Sequence, residues 1–249
     1  MKCMVQIRHA KLTQKGLFNH FRVTGSNING SLGIGSQEES SLRVHTLHEL
    51  NYKRLYQVAV GDFHTLALAS GCTCLTVKGG TCKGLEACGA DLYAWGFNMH
   101  GQVDGRPSQE PVLRPRIVPF FVGKKKVTHL SACRSRSIAV TSDNQVFEWG
   151  FTGSDGEQFQ QLHQLEEPVK EVRIGLEFNL FLGQSGTLWY SGAITQEGEN
   201  VVDTYGGLIN LTNRMPVAIK FKRIDCGYSH ALLVDEDDRL YAFGAGLYG

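Results

Sequence analysis

The sequence predicts an all-β fold built from one hairpin used several times over. Two observations carry the prediction. Short apolar runs stop at glycine turns before any helical periodicity develops, and those turns recur at matching steps along the chain. Composition agrees, with 42% hydrophobic residues and 29 glycines in 249 residues.

The hairpin is plainest near the C-terminus. Arg223 to Val234 reads RIDCGYSHALLV, the acidic stretch Asp235 to Asp238 makes a tight turn, and Leu240 to Phe243 runs back to Gly244. Its first half recurs as QVAVGDFHTLAL (Gln57 to Leu68), HLSACRSRSIAV (His129 to Val140) and EVRIGLEFNLFL (Glu171 to Leu182). With Gly61, Cys133, Gly175 and Gly227 as equivalents, the steps are 72, 42 and 52 residues. The second half recurs as DLYAWG, QVFEWG, TLWYSG and RLYAFG, and its anchors Gly96, Gly150, Gly192 and Gly244 step by 54, 42 and 52. Two independent anchors keeping nearly one step mark a repeat protein. The strand regions expected nearest the centre of such an array are Val58 to Leu68, Leu130 to Val140, Val172 to Leu182 and Ile224 to Val234.

Taken in order, residues 1–21 form a basic arm or strand and residues 22–249 one repeat domain. The first 37 residues hold five basic side chains and no acid. That charge pattern suits a mitochondrial presequence as well as a plain leading strand, so the compartment is cytoplasmic or nuclear, with a mitochondrial one open. Arg22 to Gly35 is a half-copy with two glycine turns, and the polar stretch from Ser36 to Leu55 reads as a connection. Residues 69–90 swell one hairpin turn and carry Cys72, Cys74, Cys82 and Cys88. Their spacing lacks the paired C-x-x-C of a zinc knuckle, so a protruding, metal-free excursion is expected. Gly96 to Val127 is punctuated by four prolines, which excludes a central strand or a helix and suggests a surface connection. Gln158 to Pro168 and Ile194 to Gly207 read as polar loops on one rim.

Charge narrows the function. Lys plus Arg number 25 against 24 acids, so no global field draws the chain to nucleic acid, and no apolar run spans a bilayer. Seven cysteines in no even framework fit a reducing compartment. No phosphate loop, zinc-protease motif or nucleophile elbow occurs. Gly244 to Gly249 matches a dinucleotide fingerprint in form only, since the repeat already explains its glycines. Asp62 and Glu148 stand without an assignable partner. The expectation is a non-enzyme with no cofactor, catalytic residue or metal.

The unit "apolar strand, Gly-x-x-His, apolar strand, polar turn, apolar strand, Trp-Gly-x-Asn-x-x-Gly-Gln" resembles the repeat of the regulator of chromosome condensation family. Its best copies are Gly61 to His64 with Trp95 to Gln102, and Gly227 to His230 with Phe243-Gly244; Gly25 to Gly35 matches the glycine turn. The resemblance implies a β-propeller, usually of seven four-stranded blades. About four and a half units are present, so the propeller is incomplete or open relative to seven blades. It is then completed by a partner, by self-association or by missing chain.

The resemblance also implies structural roles. His64 and His230 become buried donors tying strand to neighbouring backbone, and Trp95 and Trp149 become blade-packing aromatics. Cys133 with Arg136, and Phe178, depart from the Gly-x-x-His pattern. Family members act mostly as interaction platforms, and some exchange nucleotide on small GTPases. The expected function is therefore a non-catalytic protein-interaction propeller, a scaffold or regulatory subunit of a larger assembly, with guanine-nucleotide exchange on a small GTPase as the alternative. Under either reading the contact surface comprises the loops Phe97 to Gly105, Phe151 to Gln161 and Ile194 to Gly207. Phe97, Asn98, His100, Asp104, Asp155 and Glu157 are its candidate contacts.

Overall fold

A computed structural model describes residues 21–37, 40–51, 53–70, 90–123, 125–151, 159–196, 199–210 and 219–244. Strands follow one another as meanders. β1 (Arg22–Ser26) pairs with β2 (Ser40–Thr46) as a two-stranded sheet. β3 (Arg54–Val60), β4 (His64–Ser70), β5 (Asp91–Gly96) and β6 (Val112–Ile117) form a four-stranded sheet in chain order. So do β7 (Val127–Cys133), β8 (Arg136–Thr141), β9 (Gln145–Gly150) and β10 (Gln160–Gln164). The last four-stranded sheet holds β11 (Val169–Ile174), β12 (Phe178–Gly183), β13 (Leu188–Gln196) and β14 (Glu199–Asn210). Finally β15 (Phe221–Cys226), β16 (His230–Asp235) and β17 (Leu240–Gly244) make a three-stranded sheet. All four expected central strand regions fall on the first two strands of a sheet.

The chain divides into two compact units, Met1–Ala139 with Glu148–Gln160 and Val140–Phe147 with Gln161–Gly249. In the first, β4 is buried along its whole length because both of its faces are covered. Ala67 and Ala69 join Val23, Leu32, Leu47, Leu50, Tyr93 and Trp95 in one apolar cluster. Leu66 and Leu68 alternate onto the other face, on the side of β7. There the Gln57 side-chain amide holds the Leu130 backbone on both sides, donating to its carbonyl at 2.8 Å and accepting from its N–H at 2.9 Å. In the second unit, Phe178, Leu180, Leu182, Leu188 and Tyr190 pack against Phe221, Ile224, Ala231 and Leu233.

Several stretches read from sequence as connections or loops are strands. The polar segment after Ser36 contains β2, the proline-punctuated segment contains β6, Gln158 to Pro168 contains β10, and Ile194 to Gly207 lies in the β13–β14 hairpin. The physical reason is common to them. An outer strand pairs on one side only, so it needs few apolar residues, and β6 and β10 are mostly exposed or half-buried. Pro115 fits within β6 because an edge position does not require its missing donor. The insertion at residues 69–90, with Cys72, Cys74, Cys82 and Cys88, lies outside the described residues save its ends, as does the arm at 1–20.

Register makes Leu66 and Leu232 equivalent, opposite Ala94 and Ala242 respectively, yet Leu66 is fully buried and Leu232 is not. Leu66→Ala is expected to destabilise the protein by about 2–5 kcal/mol in denaturant unfolding, and Leu232→Ala by less than about 1 kcal/mol. Equal costs at the two positions would show that Leu232 is covered as Leu66 is.

Candidate interaction surface

Each repeat is built on two glycine contacts. In the Gly-x-x-His turn, Gly61 N–H bonds the His64 carbonyl at 2.9 Å, and the imidazole lies over the glycine where a Cβ would collide with it. Gly175 with Phe178, and Gly227 with His230, repeat that contact. Phe178 therefore replaces the histidine without loss of the ring-over-glycine packing. At the end of the third strand Gly96 adopts φ 104°, and its absent Cβ lets the strand lie against the Phe63 carbonyl, which accepts the Phe97 N–H at 2.8 Å. Gly150, Gly192 and Gly244 stand in the same way.

Beyond Gly96 the chain turns around a buried asparagine. Asn98 Oδ1 accepts the Val103 N–H at 2.9 Å, and its Nδ2 donates to the Arg106 carbonyl at 2.9 Å and to Asp104 at 3.0 Å. Asn27 does the same in the half-copy, accepting from Leu32 N–H at 3.0 Å and donating to the Ser36 carbonyl at 3.0 Å. The locked loop presents one backbone carbonyl inward. That of Gln102 accepts the Trp149 indole N–H at 2.9 Å and the Ser137 hydroxyl at 2.7 Å. That of Ser31 accepts the Trp95 indole at 2.9 Å and the Thr65 hydroxyl at 3.1 Å. Both tryptophans are buried as expected of packing aromatics, and their donor role emerges only here.

His64 is buried, and its Nε2 stands 2.8 Å from the Ser137 hydroxyl. Ser137 gives its one hydrogen to Gln102, so it accepts from the imidazole, which fixes the Nε2–H tautomer. Burial lowers the His64 pKa to about 4, with a hydrogen bond from the protonated ring to the Arg134 backbone opposing the fall. His230 differs from expectation: it is exposed, because no sheet of the described residues lies over it as β8 lies over His64. Arg136, at the histidine position of the intervening repeat, instead pairs with the buried Glu148, its Nε 2.5 Å from the carboxylate. Burial pushes the Glu148 carboxyl up while Arg136 pulls it down. Glu148 thus has a partner that sequence did not supply.

The loops leave apolar side chains outside. Phe63 is 39% exposed, Met99 49% and Phe151 59%. Phe63 meets Phe97 edge to face at 6.3 Å, Phe97 meets His100 at 6.1 Å, and His100 meets Phe151 at 5.1 Å. This row of rings gathers two of the predicted contacts, Phe97 and His100, and adds Phe63, Met99 and Phe151. Asn98 and Asp104 were expected in the contact surface and instead build the loop from within. Asp104 accepts from Asn98, from Arg106 N–H at 3.2 Å and from Arg116 at 2.6 Å. Asp155 and Glu157 lie outside the described residues. Among the described residues no cluster of three or more His, Cys, Asp or Glu is placed to hold a metal ion.

The regulator of chromosome condensation (RCC1) repeat matches residues 90–140, and a second description of the same repeat matches 221–249. The first segment holds Gly96 with its asparagine loop, and the second holds Gly227 and Gly244. The chain carries RCC1 repeats. It is 25% identical to the human E3 ubiquitin-protein ligase HERC2 over 244 residues, 90% of this chain and 4% of that protein. It is 24% identical to the ultraviolet-B receptor UVR8 of Arabidopsis thaliana over 240 residues, 90% of this chain and 49% of the receptor. The mitochondrial RCC1 domain-containing protein RUG3 of the same plant is 23% identical over 247 residues, 91% of this chain and 50% of RUG3. The chain thus spans about half the length of the plant relatives. Among solved structures, human WBSCR16 superposes with a TM-score of 0.68 at 22% identity, covering 93% of this chain and 57% of that one. Yeast RCC1 (Prp20), bound to Kap60, gives 0.65 at 20% identity, covering 91% and 52%. The fold is an RCC1-type β-propeller, and its three complete and two partial sheets among the described residues fall short of seven blades.

His64 links RCC1-repeat stability to pH. Its folded pKa is depressed below the unfolded 6.5, so its contribution is fully present above pH 6.5 and is lost as pH falls towards about 4. At about 1.36 kcal/mol per pH unit the loss amounts to roughly 3 kcal/mol. His64→Phe, the residue found at the equivalent position 178, is expected to flatten the unfolding free energy between those pH values by that amount. Parallel wild-type and variant profiles would place the imidazole in water.

Proposed function

We propose that this chain is a non-catalytic protein-interaction propeller whose partner contacts the row Phe63, Phe97, Met99, His100 and Phe151. The observation that carries the proposal is the contrast within one loop. Its polar groups are consumed internally by Asn98 and Asp104, while its Met99 is exposed and its half-buried Phe97 and His100 adjoin the exposed Phe63 and Phe151. Aromatic and methionine residues concentrate at the centres of protein interfaces, and a rigid loop presents them at little cost in conformational entropy. Affinity capture from native extract with wild-type chain and with the Phe63→Ala/Phe151→Ala pair tests it. The pair is expected to lose a partner that the wild type retains, with melting temperatures alike. Retention of every partner would move the contact surface elsewhere.

Nucleotide exchange on a small GTPase is the second reading, and the β13–β14 hairpin favours it. β12 pairs with β13 only as far as Phe178 opposite Gly192, whereas Ala193 to Gln196 pair on with Asp203 to Glu199. That hairpin end reaches past the sheet, and exchange needs an element that can enter a nucleotide site without chemistry of its own. Release of fluorescent nucleotide from a panel of GTPases decides this reading. Saturable acceleration for one GTPase, lost when residues 195–200 are replaced by a short glycine turn, is its expected signature; unchanged release throughout leaves the platform alone.

A further inference from the structure

Arg134 stands at φ 48°, in the left-handed region that favours glycine. The other non-glycine residues found there among the described residues are Asn29, Asn144 and Asp238, whose short polar side chains tolerate it. An arginine gains nothing from that conformation, so its surroundings impose it. They do so at both ends of the aromatic row. The Arg134 carbonyl accepts the Asp62 N–H at 3.2 Å, one residue before Phe63. The next carbonyl, that of Ser135, accepts the Phe151 N–H at 2.9 Å. The Arg134 main chain is thereby fixed between the segments that carry Phe63 and Phe151, and the residue is exposed.

Its charge is unspent as well. From Pro111 to Ser142 the chain carries seven basic residues and no acid, against a net charge of +1 for the whole. Three of the four arginines in that stretch pair with acids from outside it. Arg114 meets Glu49 at 2.9 Å, Arg116 meets Asp104 at 2.6 Å, and Arg136 meets Glu148. Arg134 forms no ion pair among the described residues, not even with Asp62, the exposed acid beside it. Arg106, at the end of the loop from Phe97, is a second exposed cation without an ion pair among the described residues. The one acid within that loop, Asp104, is taken up by Asn98 and Arg116.

We propose that the partner of the aromatic row is an acidic polypeptide segment, which sets apolar side chains on the rings and a carboxylate on Arg134. This assignment rests on the aromatic row being the contact surface. The planar fork of an arginine matches a carboxylate through two parallel hydrogen bonds, and arginine beside aromatic rings is the composition of interface hot spots. A nucleic acid strand calls for cations tracking successive phosphates, whereas the neighbours of Arg134 are phenyl rings.

Fluorescence anisotropy of the full chain, with a short labelled peptide whose glutamates flank a leucine pair, tests the proposal. Wild type is expected to bind it about tenfold more tightly than the same peptide with glutamine for glutamate. Arg134→Gly should erase that advantage while the melting temperature stays level or rises, because glycine accepts φ 48° without strain. A lower melting temperature would make Arg134 a structural residue and overturn the proposal, as would an acidic preference that survives the change. Phe63→Ala/Phe151→Ala should weaken both peptides alike, which reports on the row separately from the charge. Equal binding of the two peptides, still dependent on those phenylalanines, keeps the row and overturns the acidic partner. Binding of neither peptide overturns the acidic partner too, and the row is then judged by affinity capture alone. A thymidine oligonucleotide that binds more tightly than the acidic peptide overturns the proposal in favour of nucleic acid.

Discussion

The joint between consecutive repeats depends on a single backbone carbonyl. Gln102 offers it to the indole of Trp149 and the hydroxyl of Ser137, and Ser137 in turn accepts the imidazole of His64. Every group in this chain is buried, so an unmet donor would cost about 1–3 kcal/mol. The carbonyl points inward only because Asn98 fixes the loop from Gly96 to Arg106. Asn27 and Ser31 form the same arrangement one repeat earlier, receiving Trp95 and Thr65. Apolar packing holds the first two sheets together and, separately, the last two, while this polar chain joins the β3–β6 sheet to β8 and β9.

The frame was legible in the sequence because its anchors are residues whose chemistry is nearly unique. Gly96 at φ 104° and Gly61 beneath an imidazole admit no side chain, so they survive as a readable period. Phe178 and Arg136 broke the written pattern while keeping its physics in different ways, one by ring packing on glycine and the other by a buried ion pair with Glu148. The outer strands were not legible. β6 and β10 are paired along one edge and half exposed, so alternation is faint, and Pro115 argued against a strand that an edge in fact tolerates. His230 repeated the histidine of His64 in sequence, but its burial depends on a neighbouring sheet, which local spacing does not report.

The proposed contact surface shows the same division. Phe97 and His100 were singled out in the sequence because they occupy a loop that varies between repeats. Phe63, which the proposal adds, was not, because it sits inside the Gly-x-x-His turn, where its own position is open to solvent. Asn98 and Asp104 were misplaced because polar loop residues look alike whether they face water or brace the backbone. Only the distances to Val103, Arg106 and Arg116 separate the two cases.

The acceptor at each joint is a main-chain atom, contributed by Ser31 in one place and Gln102 in the other. A main-chain acceptor survives any change of the side chain it belongs to. Donors can drift too, since threonine and serine serve equally at positions 65 and 137. Heredity of the fold therefore runs through a few glycines, asparagines and indoles while most of the remaining positions are released to wander. Human WBSCR16 shares only 22% of its residues with this chain and still superposes on it with a TM-score of 0.68.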